Sequence, residues 1–329
     1  MTRENLSGNE NTKAFSAAVK DEIITQKISK RCCKRAFLAG AVRGAGNFFV
    51  SSEGYGIKVT HYDPELIAKC VVIVHSLTKC EPLVYRHVSN REVGFKTVYE
   101  FSLTGKDVFD KLAEEGILPS FGDFGADVPA DLVSSECCKI HFIKGLFVAC
   151  GTVSVPQTDS AKSSGGYYMD FSLPNETLAD FVVRLLSGMG AAAKKRKRGG
   201  IYSVYIKEAE TISDMFVRMG AVSAACELQN IMVYRMVKNN SNRYTNCESA
   251  NIAKTVNASV RQTEAINKIV RAGLYDTLDE MSRQIVDVRL NNPDATLSML
   301  SEILPSRPSR GAINHRLKKL IALGDSLED

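Results

Sequence analysis

The chain has 329 residues, of which 44% are hydrophobic, and its formal net charge is +5. This length accommodates roughly two domains, and no stretch approaches the ~18 consecutive apolar residues of a membrane-spanning helix. Nine cysteines, an odd number, and a polar beginning argue against a disulfide-stabilised secreted protein. A cytoplasmic protein with no membrane association is therefore expected.

The first predicted elements form an internal repeat. Residues 1–13 are polar and predict a flexible tail, and two weakly similar halves follow at 14–120 and 121–225. The similarity begins at a pair of adjacent cysteines in each half, and the sequences FLAGAVRGAG and FIKGLFVACG then align without a gap. A second aligned stretch, VYEFSLTGKDVFDKLAEEGI with VYIKEAETISDMFVRMGA, makes chance an unconvincing explanation.

Each half predicts the same order of elements, helix–strand–strand–helix–strand–strand–helix. The glycine-containing helices are predicted at about 34–45 and 139–150. Because glycine lets two helix backbones approach closely, these helices are expected to pack on each other across a pseudo-two-fold axis. Ranges are predicted for three of the four strands in each half, at 55–61, 83–88 and 95–103 and at 167–173, 193–197 and 201–207. The remaining helices are predicted at 63–77, 106–115, 175–189 and 208–219.

The cysteine pairs Cys32-Cys33 and Cys137-Cys138 are adjacent residues and do not form CxxC motifs. Neighbouring side chains on a helix diverge, so a shared zinc ion is not expected. The prediction is that these are small buried residues and that the protein has no metal and no other cofactor.

Residues 226–272 predict a linker of long helices, interrupted at 239–242 by Asn-Asn-Ser-Asn and restarted with Asn246 as a candidate N-cap. Positive charge is concentrated in three places: in this linker, in the basic run of residues 194–198, and near the C-terminus. Such clustering is typical of a protein that binds a polyanion, although single basic runs are most often solvated surface. Candidate contacts to a DNA backbone are Lys194, Lys195, Arg196, Lys197, Arg198, Arg243, Lys254 and Arg261.

Residues 273–329 predict a helix-turn-helix domain, with the motif at about 296–323. Asp294 or Thr296 is the candidate N-cap of a first amphipathic helix, which Pro305 ends. Ser309 is a good N-cap for a second helix, whose apolar stripe begins at Ile313 and whose outer face is basic. This pattern favours groove recognition by the second helix, against a merely solvated basic helix.

The exposed positions of the second helix define the candidate DNA-binding residues. Arg310 at the helix start is suited to guanine and Asn314 to adenine, while Gly311 lets the backbone approach DNA closely. His315 also faces outward, although a histidine in such a position is more often simply solvated. The other candidates are better suited to phosphates. These other candidates are Arg307, Ser309, Arg316, Lys318 and Lys319.

The segment LAGAVRGAG at residues 38–46 resembles the LAGLIDADG motif of homing endonucleases, and IKGLFVACG at 143–151 is a weaker copy. The resemblance implies that an acidic residue before the last glycine of each motif binds the catalytic metals. By position those residues are Ala45 and Cys150, and neither is a Mg²⁺ ligand because Mg²⁺ requires hard oxygen donors. The catalytic acids are lost, which argues against nuclease activity.

Over residues 14–325 the chain resembles the bacterial WhiA family of transcription regulators linked to sporulation and cell division. The stretches that carry this resemblance are CCKRAFLAGAVRGAGNF, FIKGLFVACGTVSVPQTDS, NRYTNCESANIAKTVNASVRQTEAINKI and PDATLSMLSEILPSRPSRGAINHRLKKL. The implied fold is α+β: pseudo-two-fold LAGLIDADG-like αββαββα repeats forming a β-saddle, followed by an all-α helix-turn-helix domain.

The expected function is a non-enzymatic, sequence-specific transcription regulator that binds double-stranded DNA at the nucleoid and acts in cell division, chromosome segregation or sporulation. One alternative is an interaction module whose repeated domain binds a transcription or cell-division protein. A residual endonuclease is a further alternative, which would need other carboxylates such as Asp63, Asp159 or Asp170.

Overall fold

The structure, a computed structural model, describes residues 3–52, 54–91, 94–118, 128–156 and 165–327. The chain divides into two compact units, Met1–Arg235 and Met236–Asp329. The first unit contains two four-stranded antiparallel sheets, and the described part of the second is helical. Among the described residues, no helix is long and apolar enough to cross a membrane.

Helix α1 (Arg3–Thr25) precedes the repeats. Its buried residues Phe15, Val19 and Ile23 follow helical spacing and belong to the core of the first unit. The prediction of a flexible tail over residues 1–13 is wrong for the backbone from Arg3 onward, which is helical. A helix anchored by tertiary packing propagates into polar sequence at little cost per residue.

The first repeat has the predicted order of elements. It consists of α2 (Arg31–Ala45), β1 (Gly46–Ser51), β2 (Gly54–His61), α3 (Pro64–Thr78), β3 (Leu83–Arg91), β4 (Gly94–Thr104) and α4 (Lys106–Glu114). Its strands pair in the order β1-β2-β4-β3. The start of α3 follows local rules, since the Asp63 side chain accepts a hydrogen bond from the backbone N–H of Glu65 and Pro64 occupies the first helical position.

The second repeat copies this order. It consists of α5 (Glu136–Cys150), β5 (Gly151–Ser154), β6 (Tyr168–Leu173), α6 (Glu176–Gly188), β7 (Lys194–Arg198), β8 (Ile201–Ile206) and α7 (Ala209–Met219). The strand order β5-β6-β8-β7 is equivalent to that of the first sheet. Alternate residues of β6 (Met169, Phe171 and Leu173) are fully buried, as expected for a sheet covered by helices on one face.

Helices α2 and α5 pack directly against each other. A Cβ atom at Gly40 would collide with the carbonyl oxygen of Phe142, and one at Gly145 would collide with the carbonyl oxygen of Phe37. These reciprocal contacts between backbones confirm the predicted approach of the two motif helices across a pseudo-two-fold axis.

The same packing brings the two cysteine pairs together. Cys32 and Cys33 lie in the first turn of α2, Cys137 and Cys138 lie in the first turn of α5, and all four sulfur atoms are within 4.8 Å of one another. The expectation that these side chains diverge considered one helix at a time, and the pairing of the helices overturns it. Cys32 is also exposed, so the prediction of buried residues is wrong at this position.

A single helix, α8 (Val222–Arg271), spans 50 residues. The predicted break at 239–242 and the restart at Asn246 are wrong. Asparagine and serine cost at most about 0.7 kcal/mol each in a helix, and the sequence of α8 contains neither proline nor glycine. The helix therefore continues through this polar stretch. The boundary between the two units falls inside α8.

The C-terminal unit adds α9 (Glu280–Asn291), α10 (Leu297–Ile303) and α11 (Arg310–Asp325) to the end of α8. Helices α10 and α11 are the predicted helix-turn-helix pair, whereas α9 was not located from the sequence. The four helices share one apolar core, which includes Ile266, Ile269, Ile285, Val286, Leu300, Leu304, Ile313, Leu317 and Leu320.

Candidate nucleic-acid interface

The turn between α10 and α11 is fixed by local hydrogen bonds. Ser301 Oγ donates to the carbonyl oxygen of Pro308 at 2.5 Å, and the backbone N–H of Arg307 donates to the carbonyl oxygen of Leu304 at 2.9 Å. Arg307 has a φ of 43°, a left-handed conformation that is uncommon for a residue other than glycine. The turn thus has a defined geometry and presents the exposed Arg307 side chain beside the start of α11.

Both helices of the motif have side-chain N-caps. Thr296 Oγ1 accepts a hydrogen bond from the N–H of Met299 at 3.3 Å, and Ser309 Oγ accepts one from the N–H of Ala312 at 3.2 Å. Thr296, and not Asp294, is therefore the cap of α10. Because the Ser309 hydroxyl accepts in the cap, its own hydrogen stays available to donate to a phosphate.

The outer face of α11 is polar and exposed at its beginning. Ile313, Leu317 and Leu320 point into the core and define the inner face. Nothing except Ser309 Oγ comes within 4 Å of a Cβ atom built at Gly311, so the backbone there is open to a large partner. The exposed residues of this outer face are Arg310, Gly311, Asn314, His315, Lys318 and Lys319.

The far end of α11 is held closely against α8. A Cβ atom at Gly324 would lie 2.8 Å from Cα of Ala265 and 2.7 Å from its carbonyl oxygen. Glycine at this position allows the two backbones to touch. With the apolar stripe, this contact fixes the position of α11 within the C-terminal unit.

Arg316 differs from the other bases of α11 because it is half-buried and paired inside the unit. Its guanidinium donates to both carboxylate oxygens of Asp279, at 2.7 and 2.6 Å, and to Ser282 Oγ at 3.2 Å. The Arg316 guanidinium holds the pKa of Asp279 at about 2. Asp279 also caps α9, so Arg316 ties α11 to α9. Its predicted phosphate contact now competes with this structural role.

A buried arginine supports the segment that leads into α10. Arg289 of α9 donates to the carbonyl oxygen of Ala295 at 2.7 Å and to that of Pro293 at 3.3 Å. Burial lowers its pKa from the ordinary value. These bonds satisfy carbonyl groups in the loop and position the cap residue Thr296.

Strand β7 forms a second basic surface, in the first unit, and the strand period divides its five bases. Lys195 pairs in register with Val204, a buried residue on the helix-covered face, whereas Arg196 pairs with Ser203 on the opposite face. Alternation then places Lys194 and Arg198 with Arg196 on the open face. Only these three of the predicted five bases share the open face.

The two faces of β7 have different partners. Lys195 forms ion pairs with Glu176 at 2.7 Å and Asp180 at 2.6 Å, both on α6. Arg196 instead lies with its guanidinium carbon 5.4 Å from the ring centroids of both Tyr168 and Tyr205. Neither tyrosine was among the predicted site residues, although each is next to a buried residue of its own strand, Met169 or Val204, and the strand period therefore assigns it to the open face.

The three candidate DNA-contacting residues on α8 also differ in whether they have a partner. Arg243 and Lys254 have exposed side chains. Arg261 is paired with Asp325 at 2.9 Å, and both side chains remain more than half exposed. Such an exposed pair is weak enough to open for a phosphate.

Comparison with known proteins connects both units to one family. Residues 241–323 match the model of the WhiA C-terminal HTH domain, and residues 139–238 match that of the WhiA LAGLIDADG-like domain. A "Probable cell division protein WhiA" of Heliobacterium modesticaldum is 32% identical over 320 residues, covering 95% of this chain and 96% of the relative. The chain belongs to the WhiA family.

Other relatives agree over nearly the full length. The protein of the same name from Desulfitobacterium hafniense (strain Y51) is 30% identical over 318 residues, covering 96% of this chain and 97% of the relative. The crystal structure of full-length DUF199/WhiA from Thermatoga maritima is similar with a TM-score of 0.55 and 20% identity, covering 96% of this chain and 99% of that one. This likeness supports the LAGLIDADG-like α+β fold with its helical C-terminal domain.

In this member of the WhiA family, Ala45 and Cys150 are the last residues of the two motif helices. Cys150 Sγ donates to the carbonyl oxygen of Leu146 at 3.3 Å, and burial raises the pKa of its thiol to about 12. Burial lowers the pKa of the neighbouring Lys20 of α1 from its ordinary value. The surroundings of Cys150 thus combine a neutral thiol with a basic side chain.

Three other carboxylates were considered as replacements for the lost catalytic acids, and the two that the structure describes already accept hydrogen bonds. Asp63 caps α3, and Asp170 accepts hydrogen bonds from the hydroxyls of Ser203 and Ser172. Asp159 lies outside the described residues.

Proposed function

We propose that this protein is a sequence-specific DNA-binding transcription regulator that inserts the N-terminal half of α11 into the major groove. One observation carries the proposal. The first turn of α11 is capped by Ser309, exposed on its polar face and fixed from behind by Ile313 and Leu317. This is the arrangement that a recognition helix requires, because base readout needs a rigid support and an open outer face.

The side chains of α11 have separate roles in this proposal. Arg310 donates two hydrogen bonds to guanine and Asn314 pairs with adenine, since each side chain matches one base edge in the major groove. Gly311 allows the backbone to approach, and His315 lies at the edge of the contact. The phosphate contacts come from Arg307, Ser309, Lys318 and Lys319.

We propose that the open face of β7 is a further site of contact with the DNA backbone. Lys194, Arg196 and Arg198 would meet phosphates, and the two tyrosine rings hold the Arg196 guanidinium over the open face of the sheet. On α8, Arg243, Lys254 and Arg261 are proposed to contribute in the same way. Such contacts raise affinity for any DNA and make binding depend on salt, but they do not select sequence.

We further propose that the protein is not a nuclease. Two-metal cleavage needs carboxylate ligands at the ends of the motif helices, where Ala45 and Cys150 stand. Incubation of the full chain with supercoiled plasmid and Mg²⁺ tests this directly. The plasmid is expected to stay supercoiled, and nicking above that of a buffer control would contradict the proposal.

The process regulated is proposed to be cell division, with chromosome segregation and sporulation as related processes. The support is the name of the relatives, which are called cell division proteins. Because the proposed partner is DNA, we also propose that the protein acts at the nucleoid, in the cytoplasm. Mapping of its genomic binding sites tests both statements: sites without any relation to division or sporulation genes would contradict the proposed process, and the absence of reproducible sites would contradict the proposed location.

The central experiment selects a preferred duplex for the full chain and compares variants on that duplex and on random DNA. Arg310→Ala is expected to lose about 1–3 kcal/mol of preference, chiefly at one base pair. Lys318→Ala should weaken binding to both duplexes and reduce the slope of log K against log salt by about 0.9. Arg271→Ala removes an exposed base of the same unit that is not a candidate and serves as the control. Equal sequence preference for the Arg310→Ala variant and the control would refute base readout by α11.

A second function, protein binding by the repeated domain, is favoured by the contrast between its two sheet edges. Where β7 carries bases, the equivalent edge strand β3 has Val84 and Val88 exposed, at 57% and 61% of the residue surface. We propose that a transcription or cell-division protein pairs with this edge. Val84→Lys should leave DNA affinity unchanged and abolish complementation of a deletion strain, whereas Val72→Lys, on an exposed part of α3, should complement. Complementation by both variants would exclude a partner at β3.

A further inference from the structure

Four cysteine sulfur atoms converge where the two repeats meet. Cys32, Cys33, Cys137 and Cys138 each offer one Sγ atom, and these atoms lie within 4.8 Å of one another. In an ideal tetrahedral site with Zn–S bonds of about 2.3 Å, the sulfur atoms are about 3.8 Å apart. The observed cluster is therefore close to the size of a single-ion site and needs only small side-chain rotations to reach it.

We propose that these four cysteines bind one zinc ion as a closed tetrathiolate site that joins the N-terminal ends of α2 and α5. Each repeat contributes two ligands, so the site exists only when both motif helices are packed together. Four soft sulfur donors favour zinc over magnesium, calcium or manganese, which prefer oxygen ligands. A set of four protein ligands leaves no open position, which is the mark of a structural and not a catalytic zinc ion.

The surroundings favour the charge of such a site. Four thiolates and one Zn²⁺ ion carry a net charge of −2, which the positive ends of two helices stabilise. Neither α2 nor α5 has a side-chain N-cap hydrogen bond. The first turn of α2 has no acidic residue, and the one acidic residue in that of α5, Glu136, forms an ion pair with Lys139. The bases Lys30, Arg31 and Lys34 flank the first cysteine pair.

The shape of the cluster also suits a bound ion. Cys33 and Cys138 are buried and shield one side, whereas Cys32 is exposed and leaves a path for entry. Ser135 Oγ lies 3.3 Å from Cys137 Sγ and can donate a hydrogen bond to a thiolate. Such outer contacts orient the ligands of metal sites.

This zinc site is distinct from the place of the lost nuclease metals. Cys32 and Cys137 stand near the beginning of their helices, whereas Ala45 and Cys150 end them. At a rise of 1.5 Å per residue, the cysteine pairs and the ends of the helices are roughly 20 Å apart along the helix axes. The ion would thus fasten the repeats at the end of the helix pair remote from the catalytic position, without taking part in chemistry on DNA.

The test measures metal in the full-length chain, purified with reductant and without added zinc. Mass spectrometry of the elements is expected to find about one zinc ion per chain. Cobalt substituted for zinc should give the intense visible absorption of tetrahedral cobalt with thiolate ligands. A chain that contains no zinc and takes up neither zinc nor cobalt from an equimolar solution would overturn the proposal.

Variants distinguish the cluster from the other cysteines. Cys32→Ser and Cys137→Ser change the two ligands that are not buried, and each should lower the zinc content to below about 0.1 ion per chain. Cys226→Ser and Cys247→Ser change exposed cysteines of α8 and should retain the full content. Equal zinc in all four variants would contradict the assignment. Disulfides within the cluster in place of zinc, detected by intact mass, would equally overturn it. The cobalt spectrum is measured on the unmodified chain, so it tests the proposal even if a cysteine variant fails to fold.

Discussion

The contact between the motif helices yields a sharp prediction for Gly40→Ala. Alanine is a better helix former than glycine by about 1 kcal/mol, so sequence alone predicts stabilisation. In the structure, the new Cβ atom would collide with the carbonyl oxygen of Phe142 and lie 2.9 Å from the backbone nitrogen of Leu146. Both obstacles are backbone atoms, and only separation of the two helices can relieve the overlap.

The magnitude follows from these opposing effects. Overpacking of this kind costs typically 1–3 kcal/mol, and backbone obstacles place Gly40 near about 3 kcal/mol. After the gain of about 1 kcal/mol in helix propensity, the net loss is about 2 kcal/mol. For a unit of this size, that corresponds to a decrease of roughly 4–8 °C in Tm.

Thermal unfolding followed by circular dichroism measures the effect on the full chain. Gly188→Ala is the matched control, because Gly188 is the last residue of α6 and nothing lies within 4 Å of a Cβ atom built there. The control is expected to be neutral or slightly stabilised. If Gly40→Ala also leaves Tm unchanged or raises it, the reasoning that this backbone contact excludes a side chain at position 40 is refuted.

The other predictions concern the C-terminal unit. Ser309→Ala removes the cap of α11 and should cost about 1 kcal/mol; faster hydrogen exchange in the first turn of α11 and weaker DNA binding would show it, whereas Ser309→Asn should preserve both. The Asp279–Arg316 pair lowers the pKa of Asp279 to about 2, so its contribution to stability is fully present above the ordinary pKa of about 4 and is lost as pH falls towards 2. Asp279→Asn should therefore reduce the loss of α11 protection between pH 5 and pH 2, and a pH profile identical to that of Asp294→Asn would contradict this reasoning.

The sequence determined the repeated architecture and the helix-turn-helix because both depend on local periodicity. The glycine motifs of the two halves gave the ends of α2 and α5 at Ala45 and Cys150, and the predicted order of elements in each repeat is confirmed. The cap at Ser309 and the apolar stripe from Ile313 also follow from spacing alone, because neighbours three and four residues apart share a helix face. These features need no knowledge of distant contacts.

Only the tertiary structure decided how residues distant in sequence meet. The pairing of α2 with α5 brings the cysteine pairs together, and that of α11 with α9 engages Arg316 with Asp279. The sheet likewise gives Lys195 acidic partners and Arg196 tyrosine partners. The physical reason is that a short sequence pattern specifies which face of an element a side chain occupies, whereas its partners depend on the element packed against that face.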